Sequence, residues 1–371
     1  MNHPSGAAQY SPKTQQFLQR LGIQHPIFLA PMAGTSTPEL AAAVSNAGGL
    51  GSLGLATSSV AQAQQAIQRT RALTSQPFNC NFFCHQPPQS DPATEQAWIT
   101  YMTPFFSALG GTAPQTLKPV NFTFIDNQPL LDMLLQEKPA VVSFHFGIPS
   151  ADTIRQLRQA GIILLASATS LAEAHIIQTS GLDAIVAQGI EAGGHRGVFN
   201  RDFDPAISTH DLVRLFTVHT QLPIIAAGGI MDGADIQQVL ALGASAAQLG
   251  TAFVICEESA ASPTYRERLQ DPALQTTYMT ASISGRPARG LMSAWHTQVD
   301  RPERPALSSY SYMYDLAKQL NALAMSQGNH DFAAYWAGSN VARIRNLNAT
   351  DLMHTLLDEL HSSITTRFDQ T

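Results

Sequence analysis

Short apolar runs recur along the chain, and each is followed by a stretch whose hydrophobic positions repeat at helical spacing. Eight runs have strand length: PIFLAP from Pro26, GLGSLG from Gly49, PFNCNFF from Pro77, AVVSFHF from Ala140, IILLASA from Ile162, AIVAQG from Ala184, PIIAAGG from Pro223 and AAQLGT from Ala246. Continuous apolar runs of this kind belong to parallel strands buried on both faces. The segments between them carry helix punctuation. Thr37-Pro38 caps and opens a helix that stops at Gly48-Gly49, Ser170 with Glu173 reads as a capping box for a helix ending at Gly181, and a third helix runs from Asp232 to Gly243.

Eight parallel strands with crossover helices predict a closed (β/α)8 TIM barrel; a doubly wound sheet, the alternative, has roughly five to seven and leaves open edges. The link between the third and fourth strands is long, and more than a hundred residues follow the eighth. Helical spacing returns from about Tyr310 to Gln327 and again from Ala349. Residues 12–255 with about 330–365 are therefore assigned to the barrel, and 256–329 to a smaller, mostly helical lid domain over its mouth.

Composition narrows the class. The chain has 371 residues, of which 44% are hydrophobic and only 13% charged, with a formal charge of -6, so it can bury a full core and carries no basic stripe for nucleic acid or anionic membrane. No window approaches the ~18 apolar residues of a membrane span, and the first residues lack the apolar core of a signal peptide. Cys80, Cys84 and Cys256 suit neither a disulfide framework nor a zinc site and read as reduced thiols, which favours the cytoplasm. No histidine pair has metal-ligand spacing with a carboxylate, so no metal is expected.

In this fold the working face lies at the strand C-termini, and a phosphate site recurs after the last two strands. The seventh strand ends in Ala227-Gly228-Gly229 and the eighth in Gln248-Leu249-Gly250-Thr251, where paired glycines let backbone N–H groups approach an anion. The sixth ends in Gln188-Gly189-Ile190-Glu191-Ala192-Gly193-Gly194-His195, a loop too glycine-rich to be held by its own packing. His195 is the candidate for proton transfer there, its ordinary pKa suiting work near neutrality. His145 alternates with aromatics in Ser143-Phe144-His145-Phe146 and is either a hydrogen-bonded lumen histidine or a second functional one. Asn79 and Asn81 offer amides to a flat heteroaromatic ring, and Met32, in Ala30-Pro31-Met32, either covers such a ring or fills the core.

PIFLAPMAG, QGIEAGGHRG, PIIAAGGIMDG, GASAAQLGTAF and SGRPARG, in this order and spacing, resemble the nitronate monooxygenases, formerly called 2-nitropropane dioxygenases, from about Ile23 to Gly338. The resemblance implies an FMN-binding barrel with a substrate lobe. It places Ala30, Pro31 and Met32 along the isoalloxazine, Asn81 and Gln188 in hydrogen bonds to it, and Gly193 and Gly194 close by. Gly228, Gly229, Gln248, Gly250 and Thr251 would hold the ring or its phosphate, and His195 would face the reactive edge. SFHFG around His145 and YSYMYDLAK resemble the class acting on propionate 3-nitronate, so Tyr310, Tyr314 and Lys318 become substrate candidates. Lys318, one of four lysines, is otherwise an exposed helix residue. Two departures stand out: Asn79-Cys80-Asn81 replaces the usual Gly-Val-Asn, and Ser339 follows Trp336-Ala337-Gly338 in place of Gln.

The implied activity is FMN-dependent oxidative denitrification of alkyl nitronates with oxygen by a monomer or homodimer. The alternatives are an NAD(P)H-dependent quinone or enoyl-thioester reductase on the same scaffold, a flavin-binding sensor without turnover, and a phosphosugar isomerase or lyase. The last wants a strand-end lysine or paired carboxylate, and all four lysines lie outside the predicted strands.

Overall fold

The structure is a computed structural model and describes residues 10–368 apart from Phe122, with side chains described up to Ser363. Eight parallel strands make one sheet: β1 (Ile27–Leu29), β2 (Gly51–Gly54), β3 (Phe78–Phe83), β4 (Val141–His145), β5 (Ile163–Ala168), β6 (Ala184–Gln188), β8 (Ile224–Ala227) and β9 (Ala246–Leu249). Their order is β1-β9-β8-β6-β5-β4-β3-β2, and a parallel bridge from Phe28 to Leu50 joins the two ends. Leu29 N–H donates to Leu50 O at 2.9 Å and Leu50 N–H to Ile27 O at 3.0 Å, so no edge is left open. The predicted barrel is present, and each predicted strand falls on an observed one.

Because strand side chains alternate, every second residue points into the barrel. Along β4 this sends Val141, Ser143 and His145 up the axis, and along β6 Ala184, Val186 and Gln188. At the N-terminal end Phe28, Leu50, Val141, Leu165, Val186 and Ile225 form a dry plug closed from below by Phe17, Leu18 and Leu21 of the helix Pro12–Leu21. One layer higher the lumen turns polar: Asn79 Nδ2 donates to Ser52 Oγ at 3.2 Å and to Ser143 Oγ at 2.9 Å. The opposite faces of the strands pack against the outer helices in the main core.

The helix Pro38–Asn46 is N-capped by Thr37 as predicted. Ser170 also caps its helix, Leu171–Thr179, by accepting from Glu173 N–H. The reciprocal half of the box differs, because the Glu173 carboxylate accepts from Thr169 N–H at 2.6 Å and Phe199 N–H at 2.8 Å in place of Ser170 N–H. Glu173 thus ties this helix to the loop after β6. The final helix, Ala349–Phe368, packs back on the barrel, where Gly233 N–H donates to Glu359 Oε2 at 2.9 Å.

A second hydrophobic cluster lies over the mouth. It joins Trp98, Met102 and Phe106 of the helix Pro92–Ala108 to Trp295, Leu316 and Leu320, the last two on the helix Tyr312–Met325. Trp98 Nε1–H donates to Ala306 O at 2.7 Å and Tyr101 Oη–H to Val299 O at 2.9 Å. The long link between β3 and β4, which lies within the stretch 12–255 given to the barrel above, supplies a third of the buried residues of this core. A three-stranded sheet completes the cover: β10 (Thr277–Thr280) and β11 (Ala288–Leu291) pair antiparallel with each other, and β11 pairs with β7 (Gly194–His195).

Gly51 shows how closely the layers approach. A Cβ there would lie 1.9 Å from Ala41 O, a backbone atom of the helix above. Replacing Gly51 by Ala is expected to cost about 1–3 kcal/mol by overpacking, read as a lower Tm with near-native far-UV circular dichroism.

Candidate functional site

A cavity of ≈ 400 Å³ opens at the C-terminal ends of the barrel strands under the lobe, a size that suits a cofactor with a small substrate. Seventeen of the residues singled out above line it, and Asn79 does not. Ala30, Pro31, Met32, Asn81, Gln188, Gly193, Gly194, Gly228, Gly229, Gln248, Gly250 and Thr251 come from the barrel loops and strand ends, together with His145 and His195, while Tyr310, Tyr314 and Lys318 descend from the lobe. Met32 lines the cavity and also packs against the hydrophobic clusters.

Two side-chain amides are fixed in opposite senses. Asn81 Nδ2 donates to Ser143 O at 3.2 Å and Ser143 Oγ at 2.9 Å, which leaves its Oδ1 as an acceptor open to the cavity. Gln188 Oε1 accepts from Gly197 N–H at 2.7 Å and from the fully buried Arg196. A backbone N–H can only donate, so Gln188 Nε2 must be the other end of the amide. One of its hydrogens goes to His195 O at 3.0 Å and the second remains for a ligand. A planar heterocycle with both acceptors and an N–H finds a complementary pair here.

The last two strand ends, where an anion cradle was expected, leave backbone donors free. Among the described residues the N–H groups of Gly229, Gly250 and Thr251 have no protein partner. Sequence reasoning missed the strap that backs them: Gly338 N–H donates to Thr251 Oγ1 at 2.9 Å and Asn340 Nδ2 to Gly229 O at 2.6 Å. It also missed Tyr265 and Trp336, which line the same cavity. The departures from the family pattern lie off the site. Asn79 is buried below the cavity, and Ser339 is exposed with its N–H on Glu191 O at 3.0 Å.

His195 is held on all sides. The strand β7 pairs it with Ala288, which explains how so glycine-rich a loop is ordered. A Cβ at Gly193 would sit 2.6 Å from the Ala337–Gly338 backbone, whereas Gly194 has φ +73° and open space around it. The imidazole stands among Phe146, Tyr310, Tyr314 and Trp336, with ring centroids 5.8, 5.9, 6.0 and 5.3 Å away. Its Nε2 lies 2.8 Å from Ser284 Oγ.

His145 lines the cavity and is tied to the His195 backbone. Its Nε2 must donate, because its partner at 3.2 Å is the His195 carbonyl, and its Nδ1 accepts from Ser167 Oγ at 2.9 Å. Both ring nitrogens are therefore occupied. The aromatic shell also holds a cation: Arg286, 5% exposed, stacks 4.3 Å from the Phe146 ring centroid, and its Nε has no partner.

This environment keeps both histidines neutral. Burial, then His145 and Arg286, push the His195 pKa down to about 3. Burial, opposed by the hydrogen bond to His195 O and aided by Arg286 and Arg196, takes His145 to about 4. The neutral-range proton transfer expected of His195 thus needs a bound anion to raise its pKa. No Asp or Glu stands among the cavity-lining residues, and Lys318 Nζ sits 4.8 Å from the Tyr314 ring centroid. Among the described residues no group of three or more His, Cys, Asp or Glu could hold a metal, and no helix is long and apolar enough to cross a membrane.

Comparison with known proteins agrees with this geometry. The family model described as nitronate monooxygenase matches residues 15–359. The nitronate monooxygenase of Pseudomonas aeruginosa is 50% identical over 348 residues, covering 94% of this chain and 99% of its own length. That of Paraburkholderia phytofirmans is 51% identical, with 94% and 95% covered. The crystal structure of nitroalkane oxidase from Streptomyces ansochromogenes superposes with a TM-score of 0.85 at 35% identity, covering 94% of this chain and 99% of that one.

The two depressed pKa values carry a sign. A histidine held neutral when folded but titrating near 6.5 when unfolded takes up protons preferentially in the unfolded state, so stability falls as pH drops below ~6.5 toward 4 and 3. The His195→Asn variant is expected to lose less Tm between pH 7 and pH 4 than the parent; an equal loss would remove His195 from the acid response.

Proposed function

Because the chain belongs to the nitronate monooxygenase family, we propose that it oxidises alkyl nitronates, propionate 3-nitronate foremost, with FMN and molecular oxygen, giving a carbonyl product with nitrite or nitrate. The observation that carries this reading is the cavity wall. His195, Tyr310, Tyr314 and Lys318 share it, and no carboxylate lines it. An anion is the favoured guest of such a wall, and a nitronate bearing a second acidic group uses more of it.

The barrel side fits FMN. The Asn81 acceptor and Gln188 donor match the two hydrogen-bonding senses of an isoalloxazine edge, and the free N–H groups of Gly229, Gly250 and Thr251 suit its phosphate. When bound, FMN supplies the electron acceptance and oxygen chemistry that amino-acid side chains lack.

The chain's own residues then bind, orient and exclude water. A nitronate is already a carbanion, so no base is required to start. Its charge beside His195 raises the imidazole pKa and draws a proton onto the ring, and the resulting N–H donates to the nitro oxygens. Lys318 pairs with the distal carboxylate, and the hydroxyls of Tyr310 and Tyr314 are within the same wall. The Trp98–Leu316 core of the lobe holds this cover over the site.

Purified protein is expected to consume oxygen with propionate 3-nitronate and not with NADH. Flavin bleaching by NADH without nitronate turnover would move the chain to the reductase alternative. His195→Asn should keep its FMN yet lose about 10²–10⁴-fold in turnover. Lys318→Met should raise KM for propionate 3-nitronate about 10–100-fold, the equivalent of one charge-assisted hydrogen bond of about 1.5–3 kcal/mol. Ethyl nitronate, which has no carboxylate, should show little change; an equal rise for both substrates defeats the role given to Lys318.

A further inference from the structure

We propose that Ser284 is a positioning residue that sets the tautomer of His195: it keeps the proton on Nε2 and leaves Nδ1 as the nitrogen that meets the substrate. The proposal rests on the reading of His195 as the residue beside the reacting centre.

Ser284 is fully buried, in the segment Ser284-Gly285-Arg286 just before β11. Its Oγ has three neighbours: His195 Nε2 at 2.8 Å, Arg286 O at 3.2 Å and Arg286 N at 3.3 Å. A hydroxyl has one proton and two acceptor sites. If the proton goes to Arg286 O, the two acceptor sites receive Arg286 N–H and His195 Nε2–H, and all three contacts are hydrogen bonds. If it goes to His195 Nε2, one acceptor site is idle. The Arg286 carbonyl, which has no other partner among the described residues, is then left unsatisfied. An unmade hydrogen bond at a buried group costs about 1–3 kcal/mol, enough to decide between two tautomers of a free imidazole.

The ring has no other way to escape this choice. Gln188 and His145 both donate to the His195 carbonyl, β7 pairs with β11, and four aromatic rings surround the imidazole. Turning the ring over would put a carbon against Ser284 Oγ and forfeit the shortest contact. His195 Nδ1 has no protein partner and is not among the buried unpaired atoms, so it opens on the cavity that the residue lines.

The arrangement serves both charge states. In the neutral ring Nδ1 is an acceptor open to the cavity. With a nitronate supplied directly, Nδ1 takes its proton from solvent as the anion binds. In either case Nε2–H stays on Ser284 throughout, so protonation needs no rearrangement behind the ring.

The test uses FMN-loaded protein labelled with ¹⁵N-histidine, the His195 signals being identified by their loss in His195→Asn. The parent should show protonated Nε2 and bare Nδ1. Ser284→Ala should show a mixed or reversed tautomer, unchanged FMN content, and a fall in kcat of at least about tenfold, given what a wrong tautomer costs elsewhere. Ser284→Thr, which keeps the hydroxyl, should restore both. Ser284→Ala placed on His195→Asn should add no further loss. A parent with bare Nε2, or a Ser284→Ala enzyme with the parental tautomer and kcat, overturns the proposal. Full turnover in His195→Asn would instead defeat the functional reading of His195, while the NMR result would still decide what Ser284 does to the ring.

Discussion

Closure of eight short strands on themselves is the constraint from which the rest follows. Once the Phe28–Leu50 bridge completes the ring, every second side chain of each strand is committed to a lumen with room for only a few layers. The chain fills the lower layers with Phe28, Leu165 and Val186 and then changes to Ser143, Asn81 and Gln188. The polar layers cannot reach water through the plugged floor. They satisfy one another or face the cavity above, and this is why the amides of Asn81 and Gln188 each keep a hydrogen-bonding position for the cavity.

Much of this was legible in the amino-acid order. Apolar runs of strand length, glycine pairs after the last two strands and a histidine in a glycine-rich loop were enough to predict the barrel and to gather residues that the structure brings to one cavity. What escaped has physical reasons. The helix Pro92–Ala108 has ordinary helical spacing, and nothing in its local pattern says that Trp98 faces Leu316 rather than the barrel. The strand β7 is two residues long and exists because Ala288 pairs with it, a contact almost a hundred positions away. Asn340 and Gly338 act through long-range bonds that have no periodicity. The pKa of His195 departs from that of an ordinary loop histidine through burial, His145 and Arg286, which its local sequence does not show.

The electrostatics of the site divide between its two sides. The barrel presents neutral dipoles in fixed directions, and the lobe presents Lys318 with tyrosine hydroxyls. Arg286 adds a positive charge whose Nε is unpaired and whose guanidinium rests on Phe146 and near Tyr310. Asp202 and Glu173 offset part of its cost of burial, and Arg286 itself stands behind the cavity wall rather than on it.

The lobe's core is shared by two segments more than two hundred positions apart, Pro92–Ala108 and Tyr312–Met325. During synthesis from the N-terminus, the strands that close the barrel are complete once Leu249 has emerged, but the helix bearing Trp98 has no partner until Leu316 and Leu320 follow. For that interval the upper end of the barrel stands uncovered, and Gly338 and Asn340, which back Thr251 and Gly229, have yet to arrive. The order of the chain therefore puts the barrel strands first and the cover over the cavity last.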